Sequence, residues 1–506
     1  MNRLYLPNGF RDPLWLEKQL KTRPEKDWRR LGQRRAMALF HEMSARVPAY
    51  KDFLKKHKVD PTKIRTVKDF AQLPTVNKDN YLRKYPREAL CWDGEFKNKS
   101  WTVSTTSGST GRPYYFPREN SQDWQYAMMA ELYLRANFDI AKLSTLYIVA
   151  FPMGAWIGGV FTYEAIKIVA ERGGYNLSVI TPGIHKQEII EAVKQLGGDF
   201  DQILIGSYAP FLKDILDDGK EAEINWHDYK LGFIFSAEGF NELFRDYVIK
   251  KTGLTNPYKD TLNHYGTVDM GTMSHETPLS VMLRRDATAD PGLFKLLFPH
   301  DDKLPTLTQY NPSLFYFEED SGNLYCSAYS GLPLVRYDLK DSGGVLKLEQ
   351  VKKRLAGYGY DLAGAVKKAR IGDTIWNLPF VYVYERNDFS VSFYAFQIYP
   401  ETIRRALQAE ELERFLTGKF TMTVRYDDSG QQRLEIHVEL RPKQPESELL
   451  RSRTRRYIVD ALLNESSEYR ETHVMYGKRV HPDIIFWQYE DSQHFKPGAK
   501  QKWVKQ

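Results

Sequence analysis

From Leu146 to Gly266 the sequence repeats one unit, a short apolar run followed by a stretch of helical periodicity that closes on glycine. LYIVAF leads to TYEAIKIVAERGG, NLSVIT to KQEIIEAVKQLGG, QILIG to a helix near Pro210, and KLGFIFSAE to NELFRDYVIKKTG; TLNHYG ends the series. Apolar runs this short and this uniform read as strands covered on both faces, the condition of a parallel sheet. Strand, helix and strand in that order predict right-handed crossovers with helices on both sides of the sheet. Ligands of such sheets gather at the carboxyl ends of the strands.

The flanks follow other rules. Ala36, Leu39, Phe40, Met43 and Val47 recur at three and four, predicting a helix with one buried face that stops at Pro48. After residue 300 hairpins begin: LFYFEED and LYCSAYS are joined by Ser321, Gly322 and Asn323, residues suited to a tight turn. Near Val383 the character changes again, to FTMTVRY-DDSG-QQRLEIHVEL, a helix from about Glu446 to Leu463, and the basic tail KPGAKQKWVKQ. With 506 residues the chain is long enough for at least two cores. The expected architecture is α/β. A large domain over residues 1–383 has a mostly parallel sheet flanked by helices plus an antiparallel sheet or barrel, and a small α+β domain occupies residues 384–506.

Composition narrows the classes. The two cysteines, Cys91 and Cys326, cannot build a zinc cluster, and as few as two favour a reducing compartment; both read as inert core thiols. The segment Leu143–Tyr163 carries no formal charge and has the length of a membrane span, but Pro152, Gly154, Gly158 and Gly159 interrupt it, so no span is expected. The N-terminus lacks the continuous apolar stretch of a secretory signal, which makes a cytoplasmic protein the expectation. A formal charge of +7, with acidic residues mixed among the basic ones throughout, does not make a nucleic-acid surface. A homodimer is left open.

The sharpest local signal is STTSGSTGRP at 104–113. Gly108 and Gly111 let the backbone turn its N–H groups towards an anion, and the hydroxyls of Thr106, Ser107, Ser109 and Thr110 add donors. It lacks the Gly-Lys-Ser/Thr ending of a P-loop, so as a lone string it also fits an ordinary surface loop.

That loop resembles the phosphate loop of the adenylate-forming superfamily of acyl-CoA synthetases, and further motifs follow in the order of that superfamily. The stretch VPAYKDFLKKHKVDPTKIRTVKDFAQLPTVNKDNYLRKYP resembles the N-terminal region of its phenylacetate-CoA ligase branch, which includes coenzyme F390 synthetase-like and capsule-locus ligases. FSAEGF at 235–240 is similar to that branch's Gly-Ala-Glu-Pro segment, and HYGTVDMG at 264–271 to its Tyr-Gly-x-Ser/Thr-Glu motif. PLVRYDLKD at 333–341 is similar to Ile-Arg-Tyr-Arg-Thr-x-Asp, ERNDFSVSFYAFQIYPETI at 385–403 to the hinge motif, and GAKQKW to the end that carries a catalytic lysine.

The resemblance implies an AMP-forming ligase. ATP and a carboxylic acid would give an acyl-adenylate and pyrophosphate, and coenzyme A or another acceptor would then take the acyl group. Residues 106–111 would hold the triphosphate. Asp269 stands at the position of a glutamate that helps hold Mg2+, and a carboxylate oxygen suits that hard ion. Glu238 and Tyr265 would frame the adenine, with Gly266, Thr267 and Arg336 beside the nucleotide. Asp341 would receive the ribose hydroxyls, although Ser342-Gly343-Gly344 after it also suits a plain turn. Lys500 would be the catalytic lysine, with Lys496, Lys502 and Lys505 close by; Arg386 and Asp388 would form the hinge of a mobile C-terminal domain.

Trp156, Phe235 and Ala237 fall where the acyl group would lie, though Trp156 and Phe235 also suit an ordinary core. The sequence departs from the pattern at Tyr114, Val268 and Glu385, and at Tyr394-Ala395, which replace an Arg-Gly pair near the path of coenzyme A. An acceptor other than coenzyme A, such as an amine, a carrier protein or a sugar, therefore stays open, as does an ATP-binding scaffold without catalysis.

Overall fold

The computed structural model describes residues 6–105, 114–237, 239–240, 242–299, 304–386, 391–394, 396–407, 409–427, 430–491 and 494–495. The chain divides into two compact units. The first runs to Ser104 and from Phe116 to Glu385; the second holds Thr105, Tyr114, Tyr115 and the residues from Arg386 on. Two short strands, β1 (Thr102–Thr105) and β2 (Tyr115–Arg118), flank the glycine-rich segment.

The first unit is built on one eleven-stranded sheet. Its strands are β3 (Thr145–Ala150), β4 (Leu177–Ile180), β5 (Gln202–Ser207), β6 (Leu231–Phe235), β7 (Thr261–Thr267), β8 (Gly271–His275), β9 (Thr306–Gln309), β10 (Phe315–Asp320), β11 (Asn323–Ala328), β12 (Leu334–Leu346) and β13 (Phe380–Arg386). The order across it is β10-β11-β12-β13-β9-β8-β7-β6-β5-β3-β4.

Strands β4, β3, β5, β6 and β7 pair in parallel, as the apolar runs predict. Strands β3, β5 and β6 are buried at every residue, the consequence of helices packed on both faces. The chain steps from β3 outward to β4 and then back across β3 to β5, so the crossovers change direction between β3 and β5. Right-handed crossovers send the helices at that point to opposite faces, and sheets of this kind bind ligands in the crevice at the carboxyl ends of the two strands, here beside the segment that follows Ala150.

The strands after residue 300 run on in the same sheet. The hairpin β10–β11 pairs Phe315 with Ala328 through to Asp320 with Asn323, and Ser321 and Gly322 take positive φ of 54° and 79° in its turn. After a first helix, Pro13–Thr22, the expected helix spans Glu25–Arg46 and buries Ala36, Leu39, Phe40 and Met43. Pro48 ends that helix and also opens the next, Pro48–Lys56, at a first-turn position where its missing N–H costs nothing. The uncharged Leu143–Tyr163 segment is β3, a loop and the start of the helix Ile157–Gly173; among the described residues no helix is long and apolar enough to cross a membrane. Cys91 and Cys326 are both free and buried; burial pushes the Cys91 thiol up to about 11 and that of Cys326 well above its usual value.

The second unit contains the hairpin β14 (Val391–Phe393) and β15 (Phe396–Ile398), and a three-stranded sheet of β16 (Leu416–Tyr426), β17 (Gln432–Leu440) and β18 (Asp483–Trp487). The helices Glu448–Glu465 and Ser467–Tyr476 connect β17 to β18, which pairs with it in parallel.

Two buried features fix β7 and β8. Where β7 begins and β8 ends, Arg245 is fully buried and forks onto Glu276, its Nη2 donating to the two carboxylate oxygens at 3.0 and 2.9 Å, while its Nε donates to Glu242 at 2.9 Å and its Nη1 to the Thr261 hydroxyl. The same Glu276 accepts the backbone N–H of Asn263 in β7 at 2.9 Å.

Farther along, His264 and His275 face each other across β7 and β8 and both contact the Tyr133 ring, with centroids at 5.2 and 5.1 Å. Their Nε2 atoms have no hydrogen-bond partner among the described residues. Burial lowers the His275 pKa to about 4, and burial together with His275 lowers that of His264 well below its usual value. Both rings are therefore neutral in the fold, and the unfolded chain binds more protons than the folded one once the pH drops below about 6.5. Stability is complete above that pH and falls as the pH moves from about 6.5 towards 4. For His275 the loss reaches about 2 kcal/mol by pH 5. Urea titrations at pH 7.5 and pH 5.0 should show this loss, and His275→Gln should reduce it by that share; an equal pH dependence in the variant would contradict the assignment.

Candidate active site

Two carboxylates and two tyrosines converge at the carboxyl end of β7. The Tyr265 hydroxyl donates to Asp341 Oδ2 at 2.6 Å, and the Tyr337 hydroxyl donates to Asp269 Oδ2 at 2.5 Å. All four residues are buried. Tyr265 ends the buried part of β7, and its ring stacks on Phe317 with centroids 6.1 Å apart.

Strand β12 alternates, turning Tyr337, Leu339 and Asp341 inward and Asp338, Lys340 and Ser342 outward. In the sheet order β12 lies four places from β7, about 19 Å away if the sheet were flat. Hydroxyl-to-carboxylate bonds across that gap require the sheet to coil on itself, and its concave side carries the site. Bulges feed the coil: the β11–β12 register shifts between Asn323 and Tyr325 and again between Cys326 and Ala328, and Arg336 and Lys340 take positive φ of 48° and 63°.

Asp341 does not sit in a turn. Ser342, Gly343 and Gly344 continue β12, and a side chain at Gly343 would run into the Tyr382 carbonyl of β13. The glycine serves close approach between strands. Gly266 is similar, since a Cβ there would come within 2.6 Å of the Gly271 carbonyl oxygen. Thr267 closes β7, its hydroxyl accepting the Met270 N–H at 3.3 Å and so shaping the turn that presents Asp269.

Arg336 faces away from the four-residue cluster. Its guanidinium bonds Glu318 and the Leu73 carbonyl, and its backbone N–H donates to the Ser327 hydroxyl at 2.8 Å. Burial pushes the Glu318 carboxyl up to about 7 against the opposing pull of Arg336. Arg336 thereby fastens the segment ending at Val76 onto β12, where Val76 pairs with Tyr337.

Phe235 ends β6 inside an aromatic cluster with Phe240 and Phe244, centroids 4.8 and 5.7 Å away. Ala237, two residues on, is exposed with φ of 77°. Trp156 is half-buried at the start of the helix that follows β3, beside the crevice. Arg386 is the last residue of β13. Thr106, Ser107, Gly108, Ser109, Thr110, Gly111, Glu238, Asp388 and Lys500 lie outside the described residues.

Lys78 and Tyr337 are additions that the motif reading passes over. Lys78 Nζ stands 3.2 Å from Asp269 Oδ1 and 5.8 Å from the centre of the Phe116 ring. Nothing in the polar run NKDN marks this lysine, since its place depends on Val76 pairing with a strand some 260 residues away. Tyr337 lies inside the PLVRYDLKD motif, and its inward alternation with Asp341 was the available signal.

The described side chains around Asp269 do not by themselves form a cage for a magnesium ion. Mg2+ takes a near-octahedral set of oxygens, usually several waters with one or two carboxylates and the phosphates of a substrate. Here one carboxylate oxygen accepts the Tyr337 hydroxyl, the other pairs with an ammonium, and the described residues contain no cluster of three His, Cys, Asp or Glu able to hold an ion.

A mixed α/β unit on one large sheet and a smaller α+β unit make up a fold that the chain shares with a solved acyl-CoA ligase. Among solved structures the chain is similar to 2-hydroxyisobutyryl-CoA ligase in complex with 2-HIB-AMP and CoA in the thioesterification state, at 14% identity and TM-score 0.65 over 96% of this chain and 91% of that one. It is similar to the open conformation of that ligase at 13% identity and TM-score 0.54 over 97% and 94%, and to its postadenylation state with R3-HIB-AMP at 14% identity and TM-score 0.54 over 96% and 91%. No family model and no curated protein sequence matches the chain.

Proposed function

We propose that the protein is an AMP-forming ligase that activates a carboxylic acid with ATP and passes the acyl group to coenzyme A. The observation that carries this reading is the bond between Tyr265 and Asp341, two residues singled out independently in distant motifs and joined across a coiled sheet. Asp341 accepts the Tyr265 hydroxyl on Oδ2, and a carboxylate is the kind of acceptor that suits ribose hydroxyls. Tyr265 offers a rigid flat wall, backed by Phe317, on which a purine can lie.

In the first step a carboxylate oxygen attacks the α-phosphorus, the bond to the pyrophosphate oxygen breaks, and pyrophosphate leaves. Negative charge grows on the phosphoryl oxygens, so backbone N–H groups and hydroxyls of residues 106–111 and the Lys500 ammonium are placed in that role. In the second step the coenzyme A thiolate attacks the acyl carbon and AMP departs. Residues 384–506 are proposed to turn about Arg386 and Asp388 between the steps, taking Lys500 away once adenylation is complete. The acid would lie towards Trp156, Phe235 and Ala237, along the crevice at the ends of β3, β5 and β6. A small carboxylic acid and coenzyme A are the proposed partners.

One observation favours a second acceptor. Tyr394, at the position of the Arg-Gly pair, takes a positive φ of 46° and packs its ring on Tyr476 at 5.0 Å. That left-handed backbone suits glycine, yet a buried phenol is kept there, which departs from a loop built for close backbone approach to a ligand. An amine or carrier-protein acceptor is the corresponding reading.

Asp341→Asn, which keeps an acceptor for Tyr265, should raise the Kd for ATP about tenfold by calorimetry, the scale of a lost charge-assisted hydrogen bond. Unchanged affinity would take Asp341 out of the nucleotide site.

A further inference from the structure

We infer that Lys78 is the resident cation of this site, so that a divalent ion reaches Asp269 only by displacing the lysine. The Val76 N–H donates to the Arg336 carbonyl at 3.2 Å and the Asp338 N–H to the Val76 carbonyl at 2.9 Å, which locks the chain two residues before Lys78 onto β12. Asn77 then caps the following turn: its side chain accepts the N–H groups of Asp79 and Asn80, and Asn80 returns the bond to the Asn77 N–H at 2.7 Å. With the backbone on both sides of Lys78 fixed, the root of its side chain is held within reach of Asp269.

At its destination the ammonium meets Asp269 Oδ1 at 3.2 Å and the face of Phe116, while Tyr337 occupies Oδ2. The Lys78 side chain is 24% exposed and that of Asp269 7%, so the pair is screened much less than a surface ion pair. A neutral pair offers a divalent ion no net attraction, and the ion would face a like charge at close range. A metal used by this chain must therefore bring most of its oxygen ligands with it, as a nucleotide complex does.

The test is manganese binding by electron paramagnetic resonance on the full-length protein without nucleotide, acid or coenzyme A, so it reads the pocket whether or not the ligase reading holds. Wild type is expected to bind Mn2+ weakly. Lys78→Met and, as a second neutral variant, Lys78→Gln should each bind at least about tenfold more tightly, a modest figure for removing an adjacent positive charge. Adding Asp269→Asn to either should abolish the gain, and Lys78→Arg, which keeps the charge, should stay as weak as wild type. Equal affinity in wild type and both neutral variants, weaker binding in those variants, or tight binding by Lys78→Arg would overturn the inference.

Discussion

Lys500→Ala is expected to lower acid-dependent ATP–pyrophosphate exchange by about 10²–10³-fold while leaving ATP affinity within about twofold of wild type. The reasoning is electrostatic. As the carboxylate approaches the α-phosphate two anions are forced together, and charge rises on the non-bridging oxygens until the pyrophosphate leaves. An ammonium on a long, flexible stem is worth far more to that state than to bound ATP, because the repulsion it relieves exists only during attack. The loss should therefore fall on turnover, with the Kd for ATP almost untouched. Lys496, Lys502 and Lys505 provide the internal comparison: full exchange by Lys500→Ala together with loss in one of the neighbours would move the role along the tail.

The largest expected effect on stability comes from Arg245→Met. Its guanidinium is fully buried and satisfies Glu276, Glu242 and Thr261 together, so removing it leaves two carboxylates short of a partner inside the protein. Breaking a buried pair from one side costs about 3–5 kcal/mol, since the charge left behind keeps its desolvation penalty. Arg284 and Arg285 also touch Glu242, which leaves Glu276 as the more exposed casualty. Because Glu276 holds the Asn263 N–H, the loss is transmitted to β7, the strand that carries Tyr265. Urea unfolding of the first unit should report the effect; a change under about 1 kcal/mol would mean that Glu276 finds another partner.

The parallel half of the sheet was legible because each strand announces itself locally, as a short apolar run with a glycine-ended helix behind it. Strand order and coiling were not, since they depend on pairings between distant segments that leave no periodicity. The outcome at Gly343 makes the point. Serine and glycines after an aspartate read as a turn, but the glycine is there because β13 approaches too closely for a side chain, a constraint carried by Tyr382. The motifs named Tyr265, Asp269 and Asp341, yet neither the bond joining the first and last nor the lysine and tyrosine holding Asp269 follows from spacing along the chain. Arg336 was placed beside the nucleotide by the same motif, and the fold turns it to the opposite face, where it clips the Lys78 segment into place.

ATP–pyrophosphate exchange on the purified full-length protein, across a panel of aryl, fatty and short hydroxy acids with and without coenzyme A, tests the central claim most directly. The account predicts exchange that requires one class of acid, and a thioester together with AMP only when coenzyme A is present. Folded protein that binds ATP but gives no exchange with any acid would contradict it and leave a nucleotide-binding scaffold built on a ligase fold.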